Sequence, residues 1–477
     1  MAVVIFSLLG LFAAAWLAMG LWHAHKPLPA ALHVDAPWRE ARGLRLLHDE
    51  TFFDARGQRH CRQAIFDEWF RLIGQARRLV VIDIFQFNDP ADTRDCYRRI
   101  AGELLDALLR RKAEVPEIEI VLITDAFNSV YGGRPTPHLD ALTRAGIQVV
   151  ISDLAPGRDP NPSWSGLWRL AFRRLGNSPR GAWLPNPVGP GRVTLRSYLA
   201  LLNLNANHRK TLIVDHGDDW MAVVGSANAD DASSAYRDAA LRFAGPAALD
   251  LLAAELALAR LSGLVPPIPC PQPPPAITPT SSLPRLRVLT EGAIRDALLA
   301  LVEEARARER LDISVLYLAH RPLIAALKAA HRRGVMIRLL LDPNQAHFGR
   351  SSPGIPNRQA AWELEGAGLA IRWWATQGDH GHSKVLLRHG GARPAELLLG
   401  SANYTRRSLD DFNLEVDVQL SAEDRHPIIR QARTSFERHW HNRDNQIFSR
   451  PYTDGADASH WRYWRYRLME ASGWSVF

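Results

Sequence analysis

Cysteine is scarce in this sequence: Cys61, Cys96 and Cys270 are the only three in 477 residues. They are too few and too scattered for a disulfide framework, and no two are spaced as a zinc site requires, so both devices are excluded. A single Cys61–Cys96 bridge stays open only to an exported body. Acidic residues are also in deficit, 50 against 58 Lys and Arg, and the net charge of +8 (pI about 9.6) suits an anionic partner, either phospholipid headgroups or nucleic acid. Long apolar runs are absent but for one. Residues 2–22 carry no charge and are long enough to cross a bilayer as a helix. No Lys or Arg precedes them, as a secretory signal would need, and Ala18-Met19-Gly20 makes a poor cleavage site. The flanks therefore favour an uncleaved anchor over residues 1–25, with a signal peptide as the alternative. Lys26, Arg39, Arg42 and Arg45 follow the run, which favours a body on the cytoplasmic side.

What is present in quantity is apolar residues, 47% of the chain, enough for two or three cores. The periodicity predicts a helix over 61–78, with Ile65, Trp69, Leu72 and Ile73 on one side, then a strand over 79–87. A helix over 93–111, a strand over 118–124 ending at Asp125, a short helix over 139–145 and a strand over 147–151 follow. The series recurs: helix 294–309, strand 311–318, helix 322–333, strand 335–341 ending at Asp342, then 359–366 and 369–373. Strands alternating with helices predict an α/β fold of two similar domains, each a mostly parallel mixed sheet flanked by helices. The expected domains are 46–262 and 285–450, joined by a proline-rich linker over 263–284 and followed by a tail over 451–477.

Each series runs into the same short motif. The first copy reads NHRKTLIVD and then GSAN, with His208 and Lys210 two apart, Asp215, Ser226 and Asn228; the second has His382, Lys384, Ser401 and Asn403. An imidazole beside an ammonium can attack or protonate near a bound phosphate. Two copies of H-x-K followed by GSAN resemble the phospholipase D superfamily, whose signature is HxKxxxxD followed by GSxN. The first copy matches fully, whereas His389 stands at the position of the second Asp. The resemblance implies two half-sites meeting on a pseudo-two-fold axis and metal-independent cleavage of a phosphodiester through a phosphohistidine. By position, His208 would be the nucleophile and His382 the general acid and base. Lys210, Lys384, Asn228 and Asn403 would bind the phosphoryl oxygens, with Ser226 and Ser401 supporting; Asp238 and Glu415 would orient the imidazoles, and Asp215 would stand behind the phosphate pocket. No cofactor is implied. His380, His382 and His389 cluster, but a metal site is disfavoured because the first copy lacks the cluster and the repeated lysine would repel a cation.

Anchored two-motif chains resemble bacterial cardiolipin synthases and related phospholipases D, acting on phospholipid at an inner membrane; Tyr236-Arg237-Asp238 followed by Gly245-Pro246 is similar to a cardiolipin synthase segment. The alternatives are a membrane-tethered nuclease of the same superfamily and, because of His389, an inactive lipid- or nucleic-acid-binding scaffold. Between Asp125 and His208 the first copy also carries an insertion near 155–195, whose aromatic and arginine residues suit either a membrane-interface helix over the site or an ordinary packed helix. In the tail, Trp461, Tyr463, Trp464 and Tyr466 alternate with arginines, which suits an interfacial belt, a nucleic-acid platform or a docked helix.

Overall fold

The computed structural model describes residues 1–88, 97–265, 271, 284–347, 350–475 and 477. The proline-rich linker, all but its ends and Pro271, lies outside the described residues, as do Cys96 and Cys270. The first half supplies β1 (Arg42–Phe53), β2 (Leu79–Ile84), β3 (Glu119–Thr124), β4 (Gln148–Ile151), β5 (Lys210–His216), β6 (Asp219–Gly225) and β7 (Asp238–Ala244). The second supplies β8 (Arg285–Thr290), β9 (Arg310–Val315), β10 (Met336–Leu341), β11 (Ala370–Trp374), β12 (Lys384–His389), β13 (Ala395–Gly400) and β14 (Val416–Ala422). The strand orders are 1-7-6-5-2-3-4 and 8-14-13-12-9-10-11, the same topology twice.

The mixed α/β fold agrees with the sequence, but the balance of strand directions does not. Only β2-β3-β4 and β9-β10-β11 pair in parallel; the other neighbours among these strands are antiparallel. The reason is the connection. Strands separated by a helix return in parallel, whereas β5 turns straight into β6 through Gly217-Asp218, with Gly217 at φ +62° at the first turn position, where a side chain would be strained. Several elements are also shorter than periodicity suggests: the helix expected over 61–78 is Ile65–Ile73, because Arg59–Arg62 pairs with β1 as an edge strand.

Alternate residues of each strand enter different cores. In β2, Leu79 and Val81 join a core shared by both sheets, while Val80, Ile82 and Ile84 pack beneath the helices of the first half. Leu286, Val288, Leu397 and Leu399 of the second half close the shared core from the opposite side. The halves are further stitched at their edges: Arg39–Glu40 pairs with β8, and Phe53 bridges to Ile447. The pseudo-symmetric sheets thus face each other, which brings the two motifs to one place.

The helix Ala2–His25 is the one described helix long and apolar enough to cross a membrane. Residues 2–18 are exposed, and the helix touches the body only from Trp16 onward. There a Cβ on Gly20 would lie 2.3 Å from Pro162 O and one on Gly166 2.5 Å from Trp16 O, so glycine is what permits this approach to the insertion. The insertion folds as Pro162–Leu167 followed by a wider turn over Trp168–Phe172.

Candidate active site

Each motif histidine sits just before its strand, at the edge where the halves meet. Two short backbone bridges set it there. His208 N–H donates to Leu414 O at 2.8 Å and Leu414 N–H to Ala206 O at 2.9 Å; on the other side His382 N–H donates to Arg237 O at 2.9 Å and Arg237 N–H to His380 O at 3.0 Å. Leu414 and Arg237 each precede an acidic residue, so the bridges deliver the acid of one half to the imidazole of the other. His208 Nδ1 lies 3.0 Å from Glu415 Oε2, and His382 Nδ1 lies 2.7 Å from Asp238 Oδ1.

The lysines begin β5 and β12, fully buried, and each donates to the carbonyl of its own motif histidine. Asn228 donates to Gln86 Oε1 at 3.0 Å, next to Phe85, whose ring centroid is 5.1 Å from that of His208. The amide oxygens of Asn228 and Asn403 are buried and take no hydrogen bond among the described residues. Ser226 and Ser401, expected among the phosphate ligands, are placed otherwise. Ser226 Oγ donates to Asp238 Oδ1 and Ser401 Oγ donates to Glu415 Oε2 at 2.6 Å, so their protons are spent fixing the carboxylates behind the imidazoles.

Burial sets the charges. It pushes His208 down to about 4, with Glu415 opposing, and His382 down to about 3, with Lys384 adding to the effect and Asp238 opposing. For Glu415 burial works the other way, but the contacts with His208, Lys210 and Ser401 outweigh it and hold the carboxyl near 2; Asp238 is lowered by the same balance, chiefly through His382. Ionised carboxylates accept only, so each Nδ1 carries the proton and each Nε2 keeps a free lone pair at neutral pH. Burial also brings Lys210 down to about 7 and Lys384 to about 8, and each lysine lowers the other half's histidine, which marks a single electrostatic cluster.

Asp215, expected behind a phosphate pocket, does not adjoin the H-x-K residues. It lies five residues along β5 from Lys210, about 17 Å away at ~3.3 Å per residue, where its carboxylate accepts from the N–H groups of Arg77, Arg78 and Leu79 at 2.8–3.2 Å. It fastens the start of β2 to the far end of β5. His389 does an equivalent task by other means: its Nε2 is 2.8 Å from Asp312 Oδ2 of β9, and Asp312 also takes Arg338 in a bidentate pair. The departure in the second motif is therefore remote from the chemistry. Asp215→Ala would strand those backbone donors in a buried site and should lower unfolding stability by about 1–3 kcal/mol in urea titration; a change within 0.3 kcal/mol would mean that water replaces the carboxylate.

Four residues escaped the sequence reading. Asp125 accepts from Asn207 N–H at 2.8 Å and Asp342 from Gly381 N–H at 2.7 Å, so the acid ending each parallel strand holds the residue before each histidine. Their signal was visible, since both expected strands end in Asp. Arg209, fully buried, ion-pairs with Glu255 and with Glu291 of the second half, and Arg237 pairs with Asp379 across the same junction. No motif spacing pointed to these cross-links.

Residues 300–440 match the family model described as cardiolipin synthase, PLD-like domain. No curated protein matches the chain. Among solved structures, the phosphatidylserine synthase of Haemophilus influenzae Rd KW20 superposes with a TM-score of 0.57 over 92% of this chain and 94% of its own, at 11% identity. A polyphosphate kinase from Porphyromonas gingivalis (TM-score 0.46, 14% identity, 90% of this chain and 53% of its own) and the phospholipase D family member Nuc from Salmonella typhimurium (TM-score 0.28, 22% identity, 36% of this chain and 99% of its own) align less well. The first of these shows the fold over nearly the whole chain. Residues 300–440 are thus similar to a cardiolipin synthase, PLD-like domain, and the same strand order, H-x-K and GSAN recur in the first half.

Proposed function

We propose that the protein is a metal-independent phosphodiesterase or phosphatidyltransferase acting on phospholipids, of the cardiolipin synthase or phospholipase D kind, held at a membrane by its N-terminal helix with the body on the cytoplasmic side. The observation that carries this reading is the crossed pairing of His208 with Glu415 and His382 with Asp238, each beside a buried lysine. His208 Nε2 attacks phosphorus and forms a P–N bond as the P–O bond to the leaving alcohol breaks. His382 gives that alkoxide its proton. Water or a second alcohol then attacks phosphorus, yields its proton to His382, and expels His208. Lys210, Lys384, Asn228 and Asn403 hold the phosphoryl oxygens as charge builds on them. Both imidazoles are neutral in the free protein, so the phosphodiester's own negative charge, which raises the pKa of its cationic neighbours, brings the acid into its working form. The family model's description supports lipid over nucleic acid.

The test is turnover of phosphatidylglycerol vesicles by detergent-purified protein in excess EDTA, with labelled single-stranded DNA in parallel. Phosphatidic acid would indicate hydrolysis and cardiolipin transfer; cleavage of DNA alone would replace this reading with a nuclease, and no turnover of either would favour a scaffold. The pH profile follows from the lysines. A cation whose pKa is lowered loses its charge as pH rises through the lowered value, so kcat/KM should fall steeply as pH rises through about 7 to 8. A profile still rising at pH 9 would contradict charged lysines as phosphate ligands.

A further inference from the structure

Trp461, Trp464 and Leu468 stand three and four residues apart on the C-terminal helix His460–Ser472, and they are exposed by 77%, 64% and 69%. The tyrosines between them do the docking: Tyr466 OH donates to Ala319 O and Tyr463 OH to Glu363. The outward stripe leads through Gly473 to Trp474, whose indole donates to Ser163 Oγ at 2.9 Å. The indole of Trp16 on the N-terminal helix donates to the carbonyl of the same Ser163 at 2.7 Å. The stripe therefore ends where the N-terminal helix leaves the body.

The insertion continues this face. Leu175, Trp183 and Leu195 are exposed, and Arg196 gathers the segment by donating to the carbonyls of Arg173 and Leu175 while lying 4.0 Å from the ring centroid of Trp168. No Asp or Glu occurs from residue 160 to residue 214, whereas Arg173, Arg174, Arg180 and Arg192 are all exposed. Tryptophan with arginine and no acid is the chemistry of an anionic lipid interface. The N-terminal helix is also held firmly to this segment. Besides the Gly20 and Gly166 approaches, Lys26 Nζ donates to Ala155 O, Arg158 Nε to Lys26 O and Asp159 N–H to His23 O, at 2.8–3.0 Å.

We propose that the face formed by residues 160–196 and the C-terminal helix is seated in the headgroup layer of the bilayer that the N-terminal helix enters. The occupant is lipid because this face adjoins the foot of a helix whose residues 2–15 are exposed and uncharged. The inference rests on that helix spanning the membrane and not on the reaction. Seating has a consequence for the site: Asn161 Nδ2 donates to Leu202 O on the chain entering His208, and Arg406 N–H, after the second GSAN turn, donates to Glu470 of the C-terminal helix, so the seated face is tied to both motifs.

The experiment uses the full chain with Cys61, Cys96 and Cys270 replaced by serine, reconstituted in vesicles of phosphatidylglycerol and phosphatidylcholine. A nitroxide is placed at Trp183→Cys, Trp464→Cys or Met336→Cys; Met336 is 45% exposed and begins β10 at the end away from Asp342. Collision with a water-soluble nickel chelate should fall at least about threefold at 183 and 464 relative to 336, and collision with oxygen should rise, as for groups in the lipid interface. Solvent-like values at 183 and 464 would overturn the proposal, showing a body tethered clear of the bilayer. So would protection from both reagents, which would mean that a second copy of the chain covers the face. Leu175→Cys supplies the same reading if a tryptophan variant fails to fold.

Discussion

Replacing His208 with alanine should reduce turnover of phosphatidylglycerol vesicles in EDTA by at least about a thousandfold, because the attacking atom itself is removed. The same loss is expected for His382→Ala, so rate alone does not separate the two roles. A substrate with a p-nitrophenyl leaving group does. That phenolate departs without a proton, so His382→Ala should still form the P–N bond, release about one equivalent of p-nitrophenolate in a burst and then stall, since no base activates the acceptor. His208→Ala should show no burst and no acid-quenched adduct. A burst from His208→Ala and none from His382→Ala would reverse the assignment, and adducts in neither would remove the covalent intermediate from the proposed mechanism.

The crossed contacts give the second large effect. Glu415 belongs to the second half by sequence but touches His208 of the first, and Asp238 of the first half touches His382. Glu415→Gln would present an amide N–H to Nδ1, favouring the tautomer with its proton on Nε2 and blocking the nucleophile's lone pair. We expect roughly a 10²–10⁴-fold loss with either leaving group. Asp238→Asn should lose as much with phosphatidylglycerol but much less of its burst with the p-nitrophenyl ester, because it disables the acid. If Glu415→Gln instead behaves like His382→Ala, the contacts do not serve catalysis in the way proposed. Both substitutions preserve size while turning one acceptor into a donor, and thermal unfolding of each variant checks that the buried cluster still assembles.

Much of the architecture was legible because its signals are local. A strand buried on both faces reads as an unbroken apolar run, and β2, β3, β9 and β10 were found that way. The direction of β5 to β7 was missed, since direction depends on which strand a segment returns to. The insertion's fate was likewise not local: its aromatic and basic pattern fits a lid, a packed helix or an interface, and contact with Trp16 and Gly20 decides where it sits. The tail was read as a choice among alternatives, whereas its tyrosines dock and its tryptophans face outward on one helix.

At the site the division is sharper. The sequence by itself determined the duplicated H-x-K and GSAN elements, and hence the candidate side chains, because residue identity and short spacing are written directly in the chain. Only the tertiary structure decided which carboxylate serves which histidine, why the serines turn to the carboxylates, and that Asp215 and His389 fasten the far ends of their strands. Those contacts join residues up to 207 positions apart, and they form only when two sheets packed on a common core bring the chain's halves edge to edge.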